Sequence, residues 1–108
     1  MSIKSLNVTV ANNLNAIVKD GKNVNAVLTF YPDDALEAST PQIGGGQSYN
    51  LPKGLEFNTD NPKMRIHLHA NRFGDMDVFK EIPVNAKELY INLQGTYNGE
   101  ADIECNFS

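Results

Sequence analysis

The sequence predicts an all-β fold, an antiparallel eight-stranded β-sandwich. Three observations support it. Apolar and polar side chains alternate with a period of two in most segments, as they do in half-buried strands. These segments are short and separated by turn sequences rich in glycine, proline, asparagine and aspartate. Helical periodicity is almost absent, with one hint of a helical turn at 86–88. The length of 108 residues suits one core, so residues 1–108 are predicted to form a single domain.

The first half of the chain predicts two strands and a loop. Residues 6–10 alternate apolar and polar side chains, and 26–31 is rich in β-branched and aromatic residues. The second of these segments stops at the turn sequence 32–34. Residues 34–50 are small, polar and glycine-rich, which predicts a loop or a weak edge strand. The glycines at 44–46 lack the Lys-Ser/Thr pair of a phosphate-binding loop.

The second half of the chain continues the alternating pattern. A short strand is predicted at 55–57, and 64–70 places two histidines on a polar outer face. Residues 89–93 and 101–107 repeat the pattern, with Cys105 facing inward. The predicted core consists of the inward-facing apolar side chains, namely Leu6, Val8, Val10, Leu28, Phe57, Ile66, Leu68, Leu89, Ile91, Ile103 and Phe107.

Composition and charge limit the classes of protein and partner that fit this chain. Hydrophobic residues make up 41% of the chain and charged residues 20%, which is typical of folded domains. A net charge of −4 and nine scattered basic residues disfavour nucleic acid as a partner. The single cysteine cannot form an internal disulfide, and residues 1–7 do not resemble a secretory signal. We therefore expect a cytoplasmic protein, with peripheral attachment to membranes left open.

The order of these segments resembles a C2 domain over nearly the whole chain. Residues 6–14, LNVTVANNL, are similar to the family's first strand, and 20–23, DGKN, occupies the place of its first calcium loop. The strand at 26–30 lacks the family's Asp-Pro-Tyr triplet. Residues 64–77 are similar to the strand and third loop that carry the family's Asp-x-Asp-Arg-Phe pattern. The later strands of the family are matched by 79–84, 89–95 and 99–107.

The resemblance implies calcium loops, but this sequence departs from them. Asp20 and Asp77 stand where the family has acidic ligands, whereas three other aspartates are replaced by Val24, His69 and Asn71. Calcium needs six to eight oxygen ligands, and histidine is a poor one. We therefore expect a module that works without calcium or any other cofactor, its aspartates being ordinary turn residues. The alternative is a calcium site formed by Asp20, Asn71, Asp75 and Asp77.

Binding is predicted in preference to catalysis. His67 and His69 are the only histidines, and neither lies in a recognisable triad motif. A transition-metal role for them would need a third ligand from a neighbouring strand. Cys105 is interpreted as a core residue and not as a nucleophile.

The C2 resemblance implies docking on a protein partner or a phospholipid membrane surface through the third loop. The binding-loop candidates are Asn71, Arg72, Phe73 and Met76. Val78 and Phe79 either extend this apolar tip or are buried in the next strand. Basic residues are scarce, with only Lys53 between 26 and 61, so protein docking ranks above lipid docking.

Two other functions remain open from the sequence. Fourteen asparagines and four tyrosines suit a lectin-like, carbohydrate-binding β-sandwich, although tryptophan is absent. The tyrosines are Tyr31, Tyr49, Tyr90 and Tyr97. Alternatively, exposed sheet edges would make the chain a self-assembling structural protein and a homo-oligomer.

Overall fold

Two β-sheets face each other in a sandwich-like, all-β arrangement. The computed structural model describes residues 4–14, 24–33, 38–57, 61–71, 73–95 and 100–108. Its strands are β1 (Lys4–Asn12), β2 (Ala26–Pro32), β3 (Ala38–Ser39), β4 (Ser48–Asn50), β5 (Leu55–Phe57), β6 (Lys63–Ala70), β7 (Gly74–Glu81), β8 (Glu88–Gly95) and β9 (Ala101–Phe107). Among the described residues no helix has the length and apolar character needed to cross a bilayer.

Sheet I is built around β1. Its order is β4-β1-β8-β9, and β5 pairs with the first part of β1. β1 and β8 run parallel, with Asn7 opposite Glu88 and Asn12 opposite Leu93. The expectation of eight antiparallel strands is therefore corrected: the described residues form nine strands, and one pair is parallel. Apolar alternation is the same for both directions, and no hairpin joins β1 to β8, so the sequence pattern does not fix their direction.

Sheet II has the order β3-β2-β6-β7 and is antiparallel throughout. β6 and β7 form a hairpin in which the N–H of Phe73 donates to the carbonyl of Ala70 at 3.3 Å. Gly74 follows at φ 78°, a left-handed conformation that glycine adopts at little steric cost. β7 is thus placed at the edge of sheet II, opposite the whole length of β6.

The core lies between the inner faces of the two sheets. Every predicted core residue is buried except Phe107, which is partly buried and packs against the others. Cys105 is also partly buried against this core, and burial raises the pKa of its thiol. The glycine-rich segment contributes Ile43, which bridges to Ala26 at the start of β2. Its strands β3 and β4 are two and three residues long, as a weak edge predicts.

Asn12, at the end of β1, is a fully buried polar residue. Its side-chain Nδ2 donates to the carbonyls of Val24 at 2.9 Å and Ile43 at 2.8 Å. Its Oδ1 accepts from the N–H of Leu14 at 3.1 Å. A buried amide that is satisfied at both ends holds its partners in one geometry, because losing a bond would leave a polar group desolvated. Asn12 therefore fixes the end of sheet I against the entry to sheet II.

We predict that Asn12→Leu lowers the free energy of unfolding by about 2 kcal/mol or more, because three buried hydrogen bonds lose their side-chain partner. Asn12→Asp should lower the free energy of unfolding at least as much. An aspartate has no N–H to donate to the two carbonyl oxygens, and its buried carboxylate would lie against them. Urea denaturation measures both effects. The control is Asn13→Ala, which changes the exposed side chain of the next residue. A loss below about 0.5 kcal/mol for Asn12→Leu would contradict this role.

Candidate functional site

The outer face of sheet II carries a cluster of facing basic and acidic side chains. We call it the histidine-aspartate ladder: Arg65, His67 and His69 on β6, and Asp75 and Asp77 on β7. The register sets His69 opposite Asp75 and His67 opposite Asp77. The alternating pattern of β6 buries its even-numbered residues and leaves these odd-numbered ones on the solvent side.

Backbone geometry brings the ladder side chains together. The N–H of Ile82 donates to the carbonyl of Pro62 at 3.0 Å, so the even-numbered residues of β6 and β7 form the hydrogen-bonded pairs. In antiparallel sheets the two kinds of pair alternate, and side chains approach more closely across the non-hydrogen-bonded pairs. The odd-numbered histidines and aspartates occupy these closer positions.

His67 contacts both aspartates. Its Nδ1 lies 2.9 Å from Oδ1 of Asp77, and its Nε2 lies 3.2 Å from Oδ2 of Asp75. His69 also contacts Asp75, through Nδ1. An ionised carboxylate only accepts hydrogen bonds, and only the imidazolium form of histidine has two N–H donors. Both contacts of His67 are therefore hydrogen bonds when its ring carries two protons.

Arg65 extends the ladder toward β2. Its Nη1 lies 3.3 Å from Oδ1 of Asp77, and its guanidinium stacks 3.9 Å from the ring centre of Tyr31. Water and salt screen exposed ion pairs, so each adds little to stability, and a cation-π contact at an exposed site contributes about 0.5–1 kcal/mol. The cluster therefore orders a charged surface more than it stabilises the fold.

The histidines lower the pKa of both carboxyl groups from the ordinary value of 3.8. For Asp75 the main cause is the hydrogen bond with His69, and for Asp77 the hydrogen bond with His67. Partial desolvation opposes both shifts. The pair is accordingly ionised down to more acidic pH than an isolated aspartate.

We predict that the ladder contributes to stability above about pH 4 and loses its contribution in stronger acid. The folded-state pKa values are lowered, so the ionised carboxylates stabilise the fold above the unfolded value and cease to do so as pH falls through the folded values. Urea unfolding at about pH 6 and about pH 3 should show a smaller acid loss in Asp75→Asn/Asp77→Asn than in the wild type.

The control for this experiment is Asp102→Asn on β9, which lies away from both histidines. It should keep the wild-type acid loss. If the double variant and the wild type lose stability equally between the two pH values, the ladder makes no contribution.

The residues of the calcium alternative are not gathered in one loop by the described structure. Asp20 lies outside the described residues. Asp75 and Asp77 lie on strand β7 instead of in the third loop, and they contact histidine and arginine. Oδ1 of Asn71 accepts from the backbone N–H of Asn25 at 2.7 Å, which gives it a structural role. Among the described residues no group of three or more acidic, histidine or cysteine side chains is arranged to hold a metal ion.

The predicted binding-loop residues do not form an exposed tip among the described residues. Arg72 lies outside the described residues, whereas Phe73 and Met76 are partly buried and pack against the core. Phe79 differs from them, because its side chain is 74% exposed in the regular part of β7. It lies opposite Arg65, on the same face as the ladder. The signal in the sequence for this position is the spacing of two residues from Asp77, which places both side chains on the same face of a strand.

The outer face of sheet I carries a second polar surface, the amide platform, formed by Asn7, Asn50, Tyr90, Asn92, Gln94 and Asn106. Tyr90 is 46% exposed and lies between Thr9 on β1 and Asn106 on β9. Gln94 Nε2 donates across the strands to Glu104 at 3.1 Å, and Asn106 Nδ2 donates to the same carboxylate along β9 at 3.0 Å. The result is an exposed aromatic ring within a hydrogen-bonded polar surface.

Comparison with known proteins found no matching family model, curated protein or solved structure. The C2 resemblance therefore stays a prediction from the sequence.

Proposed function

We propose that this chain is a non-catalytic, C2-like binding module that docks on a protein partner through the outer face of the β6–β7 hairpin. The observation that carries the proposal is Phe79, an aromatic side chain exposed within a regular strand. The docking surface consists of Phe79, Arg65 with Tyr31 beneath it, and the ladder histidines and aspartates. It replaces the third-loop tip as the contact region, because Phe73 and Met76 are turned toward the core.

The composition of this surface suits a protein interface. Aromatic residues and arginine are enriched among the side chains that dominate interface energies. Full burial of a phenylalanine side chain contributes about 1.5–3 kcal/mol. Arg65 is already oriented by Asp77 and Tyr31, so ordering it on binding costs less entropy.

Charge favours a protein over a lipid partner. Asp75, Asp77 and Glu81 lie on the exposed row of β7 around Phe79. Anionic lipid would be repelled by this row, since binding to it relies on clustered lysine and arginine. Calcium is not required, because Asp75 and Asp77 already have basic partners on β6. A cytoplasmic location and a single domain remain part of this proposal.

We predict that Phe79→Thr removes partner binding. Burial of the ring at an interface corresponds to about tenfold or more in affinity, and threonine keeps the strand propensity. Immobilised wild-type protein and variants are incubated with the same cell extract, and each retained protein is quantified by mass spectrometry. Val84→Thr is the matched control, because Val84 is 82% exposed but lies beyond the end of β7.

The expected result is a set of proteins retained equally by the wild type and Val84→Thr and depleted about tenfold by Phe79→Thr. Equal retention by all three would contradict docking at this surface. Sedimentation with phosphatidylserine vesicles is the second arm. Vesicle binding that depends on Phe79 would replace the protein partner with a lipid surface.

Saccharide binding at the amide platform is the second candidate function, favoured by the exposed Tyr90. Sugars stack on aromatic rings and exchange hydrogen bonds with amide groups; Tyr90 supplies an exposed ring, and the amide of Asn106 lies opposite it on β9. The polar side chains of the platform are cross-linked by hydrogen bonds, which reduces the entropy lost on binding.

We predict that, if this platform binds a saccharide, Tyr90→Ala abolishes signals on a glycan array while Tyr90→Phe keeps them, because phenylalanine retains the stacking ring. Phe79→Thr, on the opposite sheet, should leave the array unchanged. An array without signals for the wild type, or signals that survive Tyr90→Ala, would rule out this candidate.

A further inference from the structure

We infer that the free edge of β7 accepts an extended, basic segment of the protein partner as an additional strand of sheet II. This inference rests on the docking function proposed above and names the kind of segment that docks. Three observations support it: the orientation of the backbone groups of β7, the length of its edge, and the charge of its exposed row.

The odd-numbered residues of β7 present their backbone groups to the open edge. Even-numbered residues such as Val78 and Lys80 pair with β6 through hydrogen bonds, as the bond from Ile82 to Pro62 establishes. The N–H and C=O groups of the residues between them point away from β6, because antiparallel ladders alternate. No strand among the described residues pairs with that side of β7. These groups can therefore form a new antiparallel or parallel ladder.

The edge of β7 is long enough to hold a peptide. β7 has eight residues and β9, the other long edge, has seven, whereas the edge strands β3 and β4 have two and three. Proteins commonly protect sheet edges with short strands and charges, and a long open edge is a template for strand addition. Phe79 lies on the outer face of this edge, within reach of a strand added about 4.8 Å away.

The charge of the edge selects a basic segment. The outer row of β7 is Asp75, Asp77, Phe79 and Glu81. The outer row of β6 behind it carries Lys63, Arg65 and two histidines. Opposite charges in directly facing cross-strand positions are stabilising, and like charges are destabilising. A strand with lysine or arginine at alternate positions would continue the alternation of sign from β6 to β7 to the added strand.

The same charges disfavour a second copy of this chain as the occupant. A two-fold antiparallel pairing centred on Val78 sets Asp75 opposite Glu81, and one centred on Asp77 sets that carboxylate against itself. Shifting the centre to Phe79 sets Asp77 opposite Glu81. Each register in which most of β7 pairs with β7 of a second copy therefore sets two carboxylates opposite each other.

The inner face of β7 determines which side chains the docking segment needs at its other alternate positions. Met76 and Val78 are only partly buried against the core. A strand added beside them would cover the exposed part with small apolar side chains. Lys80 points to this inner side, near Cys105 on β9, and favours a polar residue opposite it. The expected segment therefore alternates basic residues with valine or threonine.

The experiment uses the full chain, labelled with ¹⁵N, and a capped peptide that alternates lysine with threonine and valine. Amide hydrogen exchange is measured with and without the peptide. We expect the amides of Asp75, Asp77, Phe79 and Glu81 to exchange quickly in the free protein and to slow by about tenfold or more with the peptide. The inward residues of β9, the other long edge, are the internal control. Asp102 and Glu104 on the outer row of β9 already accept hydrogen bonds from Gln94, and β9 has no exposed aromatic side chain like Phe79, so the amides of β9 should change less than those of β7.

Two matched peptides test the two parts of the inference. A peptide with glutamate in place of lysine should bind at least about tenfold more weakly, and raising the salt concentration should weaken the lysine peptide. A lysine peptide with an N-methyl group on every residue keeps its charge but has no backbone donor on either edge, and should not protect β7. Protection by the methylated peptide would show charge attraction without strand addition and would overturn the proposal.

Variants of the protein complete the test. Asp75→Asn/Asp77→Asn/Glu81→Gln should weaken the lysine peptide about tenfold, whereas Asp102→Asn/Glu104→Gln on β9 should not. The proposal is overturned if the lysine peptide leaves the β7 amides unprotected at millimolar concentration, or if protection rises with protein concentration alone. Loss of retained proteins with Phe79→Thr would still support docking at this face, so the two proposals can fail separately.

Discussion

The buried side-chain amide of Asn12 fixes the position of one sheet relative to the other. Besides its side-chain bonds, its backbone N–H donates to the carbonyl of Gln47 at 2.9 Å and its carbonyl accepts from Gly46 at 2.7 Å. One residue of sheet I thus binds both the glycine-rich segment and the approach to β2. Since β2 sets the register of β6, and β6 that of β7, the position of the docking surface depends on this residue.

Alternation in the sequence predicts β1, β2, β6, β8 and β9, because one buried face per strand imposes a period of two. Ten of the eleven predicted core residues are buried, but the core also includes residues such as Leu14, Ile43 and Leu51 that the prediction left out. It does not predict β7 in full. Residues 74–81 carry acids and Phe79 on the outer row and Met76, Val78 and Lys80 on the inner row, so neither row is clearly apolar. The parallel pairing of β1 with β8 is a long-range choice, which local patterns do not encode.

The candidate site is predictable in part. The polar face of β6 follows from its alternation, but the partners of the histidines depend on the hairpin register. That register was encoded in the order of residues, since His67 and His69 stand as far before position 72 as Asp77 and Asp75 stand after it. The pairing register of β6 and β7 follows this symmetry and sets each histidine opposite an aspartate. This symmetry is missed when residues 71–77 are interpreted as a binding loop, because a loop has no pairing register.

The parallel pair of β1 and β8 also bears on how the chain folds during synthesis. All the strands of sheet II lie within Ala26 to Glu81, and its longest pairing joins neighbours in a hairpin. Sheet I, by contrast, needs Glu88–Gly95 to complete β1. Pairings between distant segments form slowly because the chain entropy is lost before the contact is gained. As the chain leaves the ribosome, the edge of β1 that pairs with β8 must therefore wait for nearly the whole protein, whereas its other edge can pair earlier with β4 and β5.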